Sequence, residues 1–278
     1  MQKKDAMNSS TSFVSSAAVN QSSTARVGLL ALAALIAPWL AAWWLPSFAQ
    51  PQSFHQYADQ RVWLGLPYAA DVLSNAPFLV VGAIGLHFVL HGWRTSNRHA
   101  FSDQRAAWPY ALLFLGILLT AFGSVWYHLQ PNDATLVWDR LPIALGFAGL
   151  VAGTLTDRAP QRIAPLLSAF ATVGAGTVLY WHASGNLVPY LVMQAGFIAA
   201  ALIVTARTPS RYTHANRMYA AAGLYAVAVI CERLDHQVYA LLEGLISGHT
   251  LKHLFACAAI LSVFSMLRAR QHMSIERV

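Results

Sequence analysis

The stretch AAWPYALLFLGILLTAFGSVWYHLQPNDATLVWDRLP, residues 106–142, runs without a charge from Ala106 to Tyr127 and then presents His128, Asp133, Asp139 and Arg140 in quick succession. An uncharged run of this length matches the roughly 20 residues that a helix needs to cross a hydrocarbon core about 30 Å thick. The run has no strict alternation of apolar and polar positions, as a barrel strand would, and only helices or closed barrels satisfy their backbone hydrogen bonds in lipid. It therefore reads as a transmembrane helix that ends in a polar group of residues.

Working outward, four more long runs have the same character: Val27 to Leu45, Val72 to Leu90, Ile163 to Trp181 and Leu187 to Ala206. Three shorter ones, Leu141 to Thr156, Met218 to Cys231 and His249 to Leu267, carry polar residues at one end. Eight spans are expected, as an all-α polytopic membrane protein with a seven-helix core bundle and one additional N-terminal transmembrane helix. The composition agrees, because the 10% of charged residues is far below the roughly 25% of a soluble domain.

The net charge of +7 raises the question of nucleic acid, but the basic residues form no single tract. Sorted by loop, Arg61, Arg140, Arg233 and Lys252 fall on one side and the other 14 of the 18 Lys and Arg on the opposite side. The positive-inside rule places those 14, with both termini, in the cytoplasm. The excess charge thus records topology, and no nucleic-acid partner is expected. Residues 1–25, rich in Ser, Thr, Asn and Ala, read as a disordered tail, 26–46 as the additional helix and 268–278 as a cytoplasmic tail. Ser47-Phe48-Ala49 resembles a signal cleavage site, but the long lead and long apolar run favour an anchor. Cys231 and Cys257 lie in or beside spans and read as buried thiols, with no disulfide framework.

This topology collects the polar span ends on the non-cytoplasmic face. They comprise Ser124, His128, Asp139 and Arg140, then CERLDHQ at 231–237, then His249, Lys252 and His253. Ionisable groups at span level are costly and so are functional candidates. His249 and His253, four apart, share one helical face, which is how a helix offers two imidazoles to one metal. Hydrogen-bonded or rim histidines would show the same spacing. With His128 at the same level, three histidines match the set that leaves zinc a fourth position for water. Asp139 reads either as a general base beside that water or as a partner of Arg140 or of the helix dipole. Glu232 and Asp235 read either as acceptors of a ligand histidine's N–H or as partners of Arg233 or Lys252.

The set Ser124-x3-His128, Asp139 eleven residues on, and His249-x3-His253, together with Ser74-Asn75 in DVLSN, resembles the alkaline ceramidase family. That family lies within the superfamily of seven-span membrane hydrolases and progestin/adiponectin-type receptors, and the chain looks closer to its bacterial than to its eukaryotic members. The resemblance covers about residues 55–267. It implies that His128, His249 and His253 bind Zn2+, that Asp139 activates or orients the water, and that Ser124 assists at the metal. The implied reaction is hydrolysis of the amide of a ceramide or related lipid to a sphingoid base and a fatty acid, in a bacterial inner membrane. Eukaryotic members bind Ca2+ through an acidic and tryptophan cluster before the first core helix. The corresponding region here, FHQYADQRVWLGLPYAADVLSN, has Asp59, Trp63 and Asp71 but no glutamate, so the resemblance does not carry calcium over. The alternatives are a haem-binding electron carrier with His128 and a span-eight histidine as axial ligands, or a receptor-like or transport protein with a structural zinc.

Overall fold

The computed structural model describes residues 24–92 and 100–273. Most of the expected N-terminal tail (1–23), with Arg94, Arg98, His99 and residues 274–278, lies outside the described residues. Among those described, the chain is an all-α membrane protein. Its helices are α1 (Thr24–Trp44), then α2 (Ala69–Leu73), α3 (Ala76–Gly92), α4 (Gln104–Leu129), α5 (Asp133–Thr156), α6 (Pro160–Ile163), α7 (Leu167–Ser184), α8 (Val188–Arg207), α9 (Arg217–Arg233), α10 (Asp235–Leu241) and α11 (Gly248–Ala269).

Seven helical segments are long and apolar enough to cross a membrane, with α2 and α3 acting as one. The eighth expected span falls on α9, a helix of 17 residues that packs along α11 and is not among the seven long and apolar enough to cross a membrane. Large apolar side chains such as Leu29, Trp43, Phe122 and Trp138 face outward. Water would penalise that surface and hydrocarbon does not. Inside, one apolar cluster ties α1 to α5, α7 and α8, and a second ties α3 and α4 to α11.

The sequence reading started the fourth span at Leu141, but α5 begins eight residues earlier and takes Asp139 and Arg140 into the bundle. The cause is local. Asn132 Oδ1 accepts from the backbone N–H groups of Ala134 and Thr135 at 2.9 and 3.0 Å, and Thr135 Oγ1 accepts from Asn132 N at 3.3 Å. This capping box satisfies orphan donors of the first turn. One turn on, Pro142 supplies no N–H to the Trp138 carbonyl. Gly123 of α4 lies directly against that carbonyl, where any Cβ would collide with it. The two helices therefore approach closely at the level of Ser124 and Asp139. The start of α11 is fixed in a similar way, because a Cβ on Gly248 would strike the Cys231 carbonyl of α9, and Ser247 Oγ accepts from Thr250 N at 2.9 Å. Cys231 and Cys257 are buried free thiols, as expected.

Candidate metal centre

At the end of the bundle where α4 stops and α5 and α11 start, His128, His249 and His253 come together. One ligand nitrogen from each lies within 4.8 Å of the others, and all three residues are buried. The Nε2 atoms of His128 and His249 are 3.3 Å apart. Two nitrogens bound to one tetrahedral zinc at 2.0–2.1 Å stand about 3.3–3.4 Å apart, so this pair already has the required spacing. Among the described residues no other group of His, Cys, Asp and Glu comes together in this way.

The surroundings favour a cation over a closed hydrogen-bond network. Ser74 Oγ donates to the Asp71 carbonyl at 2.9 Å and lies 2.7 Å from His253 Nδ1. A hydroxyl has one proton, so the second contact is donated by the ring N–H at Nδ1, leaving His253 Nε2 with a free lone pair. Asp139 Oδ1 is buried without a partner, a costly state that calls for an explanation. A neutral three-imidazole set suits a divalent ion in a low-dielectric site, because no ligand charge has to be buried with it. The residues present therefore fit zinc.

Asp139 is buried and lines the same cavity as His249 and His253, and the Ser124 hydroxyl donates to its carboxylate. The expected alternative, an Asp139–Arg140 ion pair, is not formed: no ion-pair contact joins them among the described residues. Glu232 follows the second of its two readings, with Oε1 2.9 Å from Lys252 Nζ. Asp235 follows neither. Its Oδ1 accepts from the His249 backbone N–H at 2.7 Å and its Oδ2 from that of Ala58 at 2.8 Å, pinning the start of α11 to the segment before α2. Asp71, also buried, accepts from Thr250 Oγ1 at 2.6 Å. Asp59 is engaged by Arg61 through contacts of 2.8 and 2.6 Å. Burial alone would raise the Asp59 carboxyl, but the Arg61 hydrogen bonds outweigh it and hold the group below the usual carboxylate range.

Sequence reasoning missed Tyr57, whose ring lies 4.9 Å from that of His128 and 4.3 Å from that of His249. No helical spacing links it to either, because it arrives on the irregular segment between α1 and α2. The rings of Tyr57, His249 and His253 all stand 4.9 to 5.2 Å from His128, which leaves no slot for a macrocycle between two axial imidazoles. A structural zinc would be expected to have four protein ligands, and this group offers three.

Beside the histidines opens a cavity of about 870 Å³, lined by His249, His253, Ser124, Asp139 and Lys252. It continues into the bundle along Leu113, Leu150, Leu202 and Val263. This is the form of a ligand site: mostly apolar, with a few convergent polar groups. Compared with models of known families and with curated proteins, the chain matches none.

Proposed function

We propose that the protein is a zinc-dependent intramembrane hydrolase that cleaves the amide bond of a ceramide-like lipid to a sphingoid base and a fatty acid. The observation that carries this reading is the buried three-histidine group opening, together with Asp139, onto a cavity with an apolar interior. The resemblance of Ser124-x3-His128, Asp139 and His249-x3-His253 to the alkaline ceramidase pattern supplies the substrate class. The charge asymmetry of the loops supports a site facing away from the cytoplasm.

A zinc ion held by His128, His249 and His253 supplies a Lewis acid that acidifies water and polarises an acyl carbonyl. Ser74 fixes the His253 tautomer, and through Asp71 and Thr250 the same contacts tie α2 to α11. Asp139 takes the proton released as water adds to the amide carbonyl. It returns that proton to the nitrogen as the C–N bond breaks, so one water is consumed and one amine and one carboxylic acid leave. Ser124, which the resemblance places as an assistant at the metal, donates to Asp139. Its role in this scheme is to orient the base. The apolar interior takes the acyl chain, and the polar mouth takes the sphingoid head.

The test is hydrolysis of a long-chain ceramide and of its ester analogue by purified protein in micelles. Equimolar release of sphingoid base and fatty acid, abolished in His253→Ala, is the expected outcome. Cleavage of neither substrate by zinc-loaded protein contradicts the reading.

A further inference from the structure

Arg140 follows Asp139 on α5, and the scheme above makes no use of it. The residue is buried, 6% exposed. Its Nη2 donates to Gln50 Oε1 at 2.5 Å, while Nη1 is buried with no partner. The rings of Trp181, Tyr190 and Phe54 stand 4.3, 5.0 and 5.6 Å from the guanidinium carbon. No carboxylate among the described residues pairs with it. Asp133, Asp59 and Glu232 pair with His55, Arg61 and Lys252, and Asp139, which accepts from Ser124 and keeps Oδ1 without a partner, makes no ion pair with Arg140.

A guanidinium cannot shed its proton to escape burial, and aromatic faces offset only part of its lost hydration. A cation kept at span level without an ion-pair partner is therefore a candidate for binding. Arg140, Gln50, Phe54 and Tyr190 line the same cavity as His249 and His253. Arg140 thus faces whatever that cavity holds.

We propose that Arg140 and Gln50 form a second polar subsite that binds an anionic oxygen group, phosphate or carboxylate, carried by an amphiphile whose chain lies in the apolar part of the cavity. The planar fork of the guanidinium is suited to such groups, and the aromatic cradle holds it in place. The proposal rests on the lipid-hydrolase reading for the amphiphilic nature of the ligand, whereas the preference for charge comes from Arg140. Two sources share this chemistry, an acidic headgroup on the substrate and the carboxylate of a released fatty acid.

The test is equilibrium binding of hexadecyl phosphate, palmitate and hexadecanol to the full chain in neutral micelles, followed by tryptophan fluorescence. Wild type and Arg140→Lys bind one or both anions at least about tenfold more tightly than the alcohol, the scale of one charge-assisted hydrogen bond. Arg140→Gln loses that preference and keeps its affinity for hexadecanol, and Gln50→Leu weakens the preference several-fold, which provides a second variant should Arg140→Gln fail to fold. A stronger preference for the phosphate assigns the subsite to a headgroup, and a stronger preference for palmitate assigns it to the product. The same preference persists in His253→Ala, so a failure of the metal reading leaves this result standing. Equal affinities in wild type, a preference that survives Arg140→Gln, or one that vanishes with His253 overturns the proposal.

Discussion

The two ends of the bundle both bury charged groups, and they treat them differently. At the end where α5 and α11 finish, Arg270 and Asp157 form an ion pair at 2.9 Å. Tyr110 Oη donates to the same carboxylate oxygen at 2.6 Å, and Arg270 Nε donates to the Ala100 carbonyl at 2.6 Å. Arg270 also lies over the rings of Phe101, Tyr110 and Tyr212. Neither charged residue lines the cavity; Asp157 Oδ1 and Arg270 Nη2 keep no hydrogen-bond partner, but the two charges offset each other directly, and the cluster ties the end of α11 to the start of α4. At the opposite end, beside the cavity, three imidazoles converge without an acid between them, and neither Asp139 nor Arg140 has an ion-pair partner among the described residues. The difference teaches that burial of charge alone does not mark a site. Charge left uncompensated beside a cavity does.

Substitutions that separate stability from chemistry sharpen this contrast. The largest effect is expected at Asp139: Asp139→Asn should retain the bound metal and lower amide hydrolysis by about 10²–10⁴-fold, the usual range for a general base. Turnover and metal content measured on the same preparation check it, and full activity in this variant would break the contrast. Next comes the Arg270–Asp157 cluster. Arg270→Ala should destabilise the protein by about 3–5 kcal/mol, because it strands a buried carboxylate, and should leave metal stoichiometry unchanged in the folded fraction. Denaturation in detergent reads the loss. A smaller effect is expected at Ser74, where Ser74→Ala removes the acceptor of the His253 Nδ1–H and should weaken metal affinity by about 10–100-fold. A competition titration with a chelator measures it, and an unchanged affinity would mean that Ser74 merely fills space.

Much of this was legible in the chain and some of it was not, for identifiable reasons. The spans were visible because length and lack of charge suffice to mark them, and His128, His249 and His253 because i, i+4 spacing and topology put them at one depth. The early start of α5 was hidden by searching for apolar residues only; the capping signal Asn132-x-x-Thr135 was present and would have moved the boundary. The Ser74–His253 contact joins positions 179 apart, and only the resemblance of DVLSN to a family motif drew attention to Ser74. Tyr57 and Gln50 arrive on irregular backbone, whose path no periodicity encodes. One of the readings of Asp139 paired it with Arg140 because they are adjacent. On a helix, however, neighbours point about 100° apart, so adjacency was the wrong evidence for a pair.

The most direct test is metal analysis of the purified protein beside His128→Ala and His249→Ala. The account predicts one zinc per chain in wild type and substoichiometric metal in both variants, with the helical content unchanged. Wild-type protein that takes up no zinc when supplied with it, or variants that retain a full equivalent, would contradict it.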